Sequence, residues 1–389
     1  MRSIRPLLAA SGLAAALALT ATACGPGGDG ADSKPSASDS ARAGGGSTSP
    51  SDLADALKKH GVDLDKYKNG GWRNWDRSTW LREAKDFVNP VVDGLWKPDR
   101  MKSAKDPQKT MAAGEASGGT GISDPEPAPV RAVQEKLPYH NYAAPVGKVF
   151  FDSPKGPMVC SGTVVKDPAH PGKSNLVWTA GHCVHQGGSG GWYRNIAFVP
   201  SYNDQGKSAA ALNNAQPQQI APYGVFWADW ASTSGEWIND GGPTGGTGAP
   251  YDYAVLHVKA ENGTKSLEET VGNALTVNFS APKAHSVSSM GAWGYPAAPP
   301  YDGLQMFRCV DRPGQLSISP GTPAMYRIGC TMTGGSSGGG WFMNGPDGKA
   351  QLVSNTSIGP VTSGWLAGPQ LGAGAKALLD SMSAKYGGR

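Results

Sequence analysis

The spacing of apolar residues changes several times along the chain. Residues 1–23, MRSIRPLLAASGLAAALALTATA, begin with Arg2 and Arg5, continue as an apolar run from about Pro6 to Leu19, and end in the small residues Ala21, Thr22 and Ala23. That order predicts a secretory signal peptide, and the run is too short to cross a bilayer. Residues 25–50 hold no large apolar side chain, so nothing there offsets the entropy of ordering, and 24–50 reads as a disordered tether. Farther on, Trp80, Leu81, Ala84, Phe87, Val88, Val91, Val92 and Leu95 recur at three- and four-residue spacings. This predicts an amphipathic helix with Asp76 or Ser78 at its N-cap and a kink or break at Pro90. Residues 51–100 are then a small helical pro-segment or accessory segment, and the polar, Gly- and Pro-rich stretch 101–136 is a linker.

Beyond residue 137 the helical period disappears. Runs such as GKVFF, VCSGTVV, NLVWTAG, DYAVLHV, LQMFRCV and AMYRIGC are rich in β-branched and aromatic residues, with Gly, Pro, Asn and Asp clusters between them. They predict an all-β sandwich or barrel over 137–389, a size that single β domains reach. Only GAKALLDSMSAKY at the end returns to a helical pattern, with Leu378, Leu379, Met382 and Tyr386 on one side.

Composition narrows the field. Apolar residues make up 39% and charged residues 17% of 389, as in a globular protein, while 55 glycines and 31 prolines demand many turns. A net charge of +4, without Lys/Arg clusters interleaved by aromatics, excludes a nucleic-acid partner. A secretory start implies a compartment where disulfides persist. Four of the five cysteines, Cys160, Cys183, Cys309 and Cys330, can pair in three ways. The fifth, Cys24, follows the small-residue cleavage site and resembles the lipid-modified cysteine of bacterial lipoproteins. The alternative is a soluble secreted chain with a free thiol.

Three motifs stand out in the β region: WTAGHCVH around His182, YDYAVLHV with Asp252 at the head of an apolar strand, and CTMTGGSSGGGWF with adjacent serines. Singly, each has a structural explanation: a core histidine, a strand cap, a turn. One thiol and two imidazoles, Cys183 with His182 and His185, are crowded at that spacing and lack further Asp or Cys partners nearby, so no metal centre is expected. Together they match the needs of acyl transfer. A serine hydroxyl becomes a nucleophile when an imidazole takes its proton, and a buried carboxylate fixes that imidazole's tautomer and steadies its charged form. The order His, Asp, Ser is one of those in which such triads occur.

On TAGHC, DYAVL and GGSSGGG the sequence resembles the trypsin-like, chymotrypsin-fold serine peptidases, especially their bacterial secreted branch, from about Val146 to the C-terminal helix. The resemblance implies an all-β fold of two six-stranded antiparallel β-barrels with a C-terminal helix, here preceded by the small helical segment, and an active site between the barrels. It implies disulfides Cys160–Cys183 and Cys309–Cys330. His182 becomes general base and then general acid, and Asp252 its orienting carboxylate. Ser337 becomes the nucleophile, because the family's Gly-x-Ser register fits Gly335-Ser336-Ser337. Backbone N–H groups of Gly335 and Ser337 form the oxyanion hole. Ser336 stands where the animal digestive enzymes carry an aspartate that pairs with a freed N-terminus, so that switch is absent.

The segment QLVSNTSIG resembles the strand lining the primary pocket, with Val353, Ser354, Asn355 and Thr356 as substrate contacts and Ser354 near the buried carboxylate. Thr331 falls at the pocket base. It is neutral, which gives no support for Lys or Arg preference, and the absence of a histidine after His285 gives none for acidic residues. Trp192, Trp227, Trp230 and Trp237 pack a barrel or rim the cleft.

The function expected is a secreted or surface-anchored serine endopeptidase, acting on polypeptides as a monomer, without cofactor, outside a bacterial cell. Its only membrane attachment would be lipid on Cys24. The alternatives are a catalytically silent peptidase-fold binding protein and an esterase, the latter disfavoured by the β-rich texture.

Overall fold

The computed structural model describes residues 86–88, 98–106, 110–111, 123–188, 190–362 and 364–386, all within the compact unit Thr48–Arg389. The signal peptide, the tether, Cys24 and most of the amphipathic stretch lie outside the described residues. Ahead of the main domain come strand β1 (Asp86–Val88), helix α1 (Pro98–Ser103), strand β2 (Thr110–Met111) and strand β3 (Val133–Gln134). β1 corrects the helix expected across residues 86–88. A Phe-Val pair suits a strand, and an available edge on the first barrel outweighs the helical spacing. The stretch from Ser123 to Lys136, linker-like in composition, is paired with the second lobe: Asp124 N–H donates to Gln315 O at 2.9 Å and Thr331 N–H to Val130 O at 2.9 Å.

The first lobe contains β4 (Val146–Ser153), β5 (Gly156–Val165), β6 (Leu176–Thr179), β7 (Arg194–Pro200), β8 (Phe226–Thr233) and β9 (Ala254–Ala260). They run in the order β8-β7-β4-β5-β6-β9, and β8 pairs with β9 to close a six-stranded antiparallel barrel; β1 adds to β8. Closure explains why the strands read as nearly continuous apolar runs rather than alternating ones. Val149 and Phe151 of β4 point into the barrel, while Val146 and Phe150 on the opposite face meet Tyr295, Leu304 and Met306 of the second lobe. Trp192, Trp227 and Trp237 are buried, and Trp230 stacks on Tyr386 at 4.2 Å, so these tryptophans pack the barrel.

The second lobe comprises β10 (Thr276–Val277), β11 (Met290–Gly294), β12 (Phe307–Asp311), β13 (Gly314–Leu316), β14 (Met325–Cys330), β15 (Gly340–Asn344), β16 (Ala350–Asn355), β17 (Gly359–Pro360) and β18 (Gly364–Pro369). A six-stranded sheet, β10-β16-β15-β11-β12-β3, and a three-stranded sheet, β13-β14-β18, enclose one core that includes Met290, Cys309, Ile328, Trp341 and Leu366. The Cys309–Cys330 disulfide ties the two sheets together. Helix α2 (Ala373–Tyr386) ends the described chain, and its Leu379, Met382 and Tyr386 pack against Leu176 and Trp178 of the barrel and Leu352 of β16. No helix among the described residues is long and apolar enough to cross a membrane.

Candidate active site

β6 ends at Thr179 and the chain makes one tight turn, Gly181–Cys183, that carries His182. The Cys160–Cys183 disulfide, with a sequence separation of 23, pins this turn to β5. Closing a loop of that length stabilises a fold by ~3 kcal/mol in the chain-entropy account. Asp252 lies two residues before the first residue of β9, and the β6–β9 register sets Thr179 opposite Ala254, so the two strand ends deliver His182 and Asp252 to one place.

The pair is wholly buried. Asp252 Oδ1 accepts the backbone N–H of His182 at 2.7 Å, and Oδ2 meets His182 Nδ1 at 2.7 Å. Ser357 Oγ donates to Oδ2 at 2.5 Å, and Asn355 Nδ2 donates to the Asp252 carbonyl at 2.9 Å. An ionised carboxylate only accepts, so Nδ1 carries the proton and Nε2 is left as a lone-pair acceptor in the neutral ring. Nε2 is buried and has no hydrogen-bond partner among the described residues. Trp237 packs on the imidazole, ring centroids 6.0 Å apart. Burial first, and then the charge of Asp252, push the Tyr193 phenol up, which keeps it protonated.

His185 is separate from this pair. Burial pushes its imidazole down to about 3, and Nδ1 accepts the Gly187 N–H at 3.0 Å. The ligand atoms of Cys160, His182 and Cys183 lie within 4.8 Å of one another, but both sulfurs are in the disulfide and offer no thiolate to a metal.

The serine loop leaves β14 beyond Cys330 and enters β15 at Gly340. Its carbonyls turn into the protein. Gly334 O accepts Ala297 N–H at 2.6 Å, Gly335 O accepts Ser161 Oγ at 2.9 Å, Ser336 O accepts Gly339 N–H at 3.0 Å and Ser337 O accepts Ser161 N–H at 2.7 Å. In a trans peptide the N–H points opposite to the C=O, so the N–H groups of Gly335 and Ser337 are turned the other way. Neither has an acceptor among the described residues. Gly335 has φ +94°, and a side chain there would strike Tyr295 O and Ala297. At Gly338, φ +75°, a side chain would overlap Thr179 Oγ1 and Ser161 O. Both positions therefore need glycine. The approach of Gly338 to Thr179 and Ala180 sets Ser337 beside the turn that carries His182.

Ser336 and Ser337 have different surroundings. Ser336 Oγ donates to Thr333 O at 2.7 Å and is consumed there. Ser337 Oγ makes no bond to His182, whose Nε2 is unpartnered; the contact expected between them is not formed. Such contacts are often loose before substrate binds. Behind the loop, the buried Lys148 donates to Gly303 O at 2.6 Å and supports the turn containing Ala297. Burial pushes its ammonium down to about 7.

Beside Ser337 opens a pocket of about 250 Å³ lined by Met332, Thr333, Thr356, Ile358, Trp365 and Leu366, among others, with no charged residue among the described residues that line it. Of the pocket residues expected from the sequence, only Thr356 lines it. Thr331 lies outside, its Oγ1 accepting Ala132 N–H at 2.8 Å and meeting Tyr301 OH at 3.2 Å. Val353 is in the lobe core. Ser354 Oγ donates to Pro369 O at 2.7 Å, and Asn355 spans Trp178 Nε1 and the Asp252 carbonyl. The wall begins later, at residues 356–361, and Ser357, not Ser354, reaches Asp252. The physical reason is that β16 continues to Asn355, so the wall forms only after the strand has ended. Two serines three residues apart made either register readable. Ser161, Ala297 and Ala298, which hold the serine loop, carried no sequence signal.

No family model and no curated protein sequence matches the chain. Solved structures do. A thermostable serine protease, AL20, from an extremophilic microorganism is 31% identical, with a TM-score of 0.50 over 62% of this chain and 98% of its own. The protease Anisep from Arthrobacter nicotinovorans is 30% identical, with a TM-score of 0.50 over 65% of this chain and 99% of its own. The class these structures define is that of the serine proteases, in agreement with the closed barrel, the second β lobe and the C-terminal helix. The chain belongs to the chymotrypsin-fold serine protease family.

Proposed function

We propose that this protein is a serine endopeptidase in which Ser337 attacks the scissile carbonyl, His182 moves the proton and Asp252 orients the imidazole. The observation that carries the reading is His182 itself: Nδ1 is fixed to Asp252 while Nε2 is buried and unpartnered beside the serine loop. Nε2 takes the Ser337 proton as the Oγ–carbon bond forms. It then returns that proton to the amine as the peptide bond breaks, and a water repeats the sequence on the acyl-enzyme. The N–H groups of Gly335 and Ser337 receive the oxyanion, each such donor contributing ~3 kcal/mol to transition-state stabilisation. Ser357 Oγ and the His182 backbone N–H hold the Asp252 carboxyl group in line.

The acyl residue's side chain enters the pocket beside Ser337. Its uncharged lining leaves an ionised side chain desolvated without a partner, so medium-sized apolar residues are preferred. Secretion is supported by the two disulfides and the N-terminal pattern, and surface attachment by the setting of Cys24.

A fluorophosphonate probe should label the protein and fail to label Ser337→Ala, and a peptide-library digest should show cleavage after apolar residues. Labelling that persists in Ser337→Ala would reassign the nucleophile. Ester hydrolysis without any peptide cleavage would favour an esterase. Radiolabelled fatty acid incorporated by the wild type but not by Cys24→Ala would establish the anchor.

A further inference from the structure

The segment ahead of the protease domain touches the cleft at three described places. Met101 of α1 is buried in the core shared by the two lobes, and Arg100 pairs with Asp152 at 2.5 Å. At one end of the cleft Lys105 N–H donates to Pro157 O at 3.0 Å and Lys105 O accepts Val159 N–H at 2.6 Å, a parallel bridge to Met158 of β5. In the middle, the Asp106 carboxylate lies on the face of Gly334 that a side chain would occupy. At the other end β2 pairs parallel with β17, Thr110 opposite Gly359 and Met111 opposite Pro360, along the pocket wall.

The direction of this path matters. Resting on the peptidase reading above, a substrate places the side chain of its acyl residue in the pocket, so its N-terminal part lies along residues 357–360. Its amine-leaving part lies past His182, toward the Cys160–Cys183 bond and β5. A substrate therefore runs from β17 to β5. The chain's own segment runs from β5, at Lys105, to β17, at Thr110, and both of its pairings are parallel. A reversed chain offers Ser337 a carbonyl whose amine side faces the wrong way for protonation by His182.

We propose that residues 98–106 together with 110–111 are an inhibitor carried in cis, which occupies the substrate cleft in the direction opposite to a substrate and so resists cleavage by the site it blocks. This replaces the missing charge switch at Ser336 with direct occupation of the cleft.

Cysteine pairs in the full chain test the placement without relying on activity. Lys105→Cys with Met158→Cys, and Thr110→Cys with Gly359→Cys, should crosslink under mild oxidation. The exchanged pairs, Lys105→Cys with Gly359→Cys and Thr110→Cys with Met158→Cys, should not. Crosslinking of the exchanged pairs, or of none, overturns the proposal. Inhibition is read from the rate of fluorophosphonate labelling of the full chain against Lys105→Pro/Met111→Pro, which removes a backbone donor at each anchor, since Pro360 has no N–H and the parallel pairing must run through Met111 N–H. The expected gain is about tenfold or more. Equal rates with the predicted crosslinks intact overturn the inhibitory role and leave the placement standing. No labelling of either chain, again with the crosslinks formed, defeats the peptidase reading and the inhibitory role with it.

Discussion

His182 and His257 are both wholly buried, and each meets an aspartate through Nδ1, at 2.7 Å from Asp252 and 2.5 Å from Asp229. Each also leaves Nε2 without a partner among the described residues. The surroundings separate them. Asp252 is wholly buried and receives Ser357 Oγ and the His182 backbone N–H, and its partner histidine sits beside a loop with two unused N–H donors. Asp229 is partly exposed and shares its charge with Lys259 at 3.0 Å, while His257 is within the sheet opposite Leu176 and Trp230, with the Tyr386 ring 6.2 Å away. A buried His–Asp pair is thus no site by itself. Chemistry requires a nucleophile and an anion receptor on the open side of the ring.

That difference can be broken open by substitution. The largest effect belongs to Ser337→Ala or His182→Ala, either of which should lower kcat on a peptide substrate by roughly 10⁴- to 10⁶-fold, with the urea midpoint little changed. Next, Asp252→Asn should cost about 10⁴-fold in kcat by misassigning the His182 tautomer, while Asp229→Asn stays within about twofold. Equal losses would erase the distinction between the pairs. Ser357→Ala should lower kcat about tenfold by removing one donor to the Asp252 charge, with KM nearly constant.

The smallest effect is on stability alone. Asp229→Ala should lower unfolding free energy at neutral pH by about 1–3 kcal/mol through the abandoned Nδ1 of His257, with kcat unchanged. Burial works to raise the Asp229 carboxyl, but hydrogen bonds and charge from His257 and Lys259 outweigh it and hold the group below its ordinary 3.8. A lowered carboxylate contributes stability that is present above its unfolded pKa and lost as pH falls through the folded one. The variant's urea midpoint should therefore fall less steeply than the wild type's below pH 3.8.

Much of this was legible beforehand because short-range chemistry was written into the motifs. TAGHC and DYAVL are strand-end signatures, and the strands that carry them pair directly, which brings His182 and Asp252 into contact. The Gly-x-Ser register favours Ser337 over Ser336, and the structure engages Ser336 Oγ with Thr333 O. The pocket wall was misread by three residues because the end of β16 depends on its pairing with β15, which local sequence does not encode. Lys148 in GKVFF looks like a surface residue, and only the meeting of two lobes over β4 buries it. The stretch at residues 86–88 has helical spacing yet supplies a strand, since the edge of a distant β8 decides its form.

Helix α2 has a consequence for the lifetime of the activity. His182 and Asp252 ride on one lobe and Ser337 on the other, and α2 lies on apolar residues of both, from Leu176 and Trp178 to Leu352. Trimming α2 from its C-terminal end would unseat Tyr386, then Met382 and Leu379, and let the lobe carrying His182 and Asp252 drift from the one carrying Ser337. A protease clasped in this way would be open to inactivation by exopeptidases working at a surface remote from its own cleft.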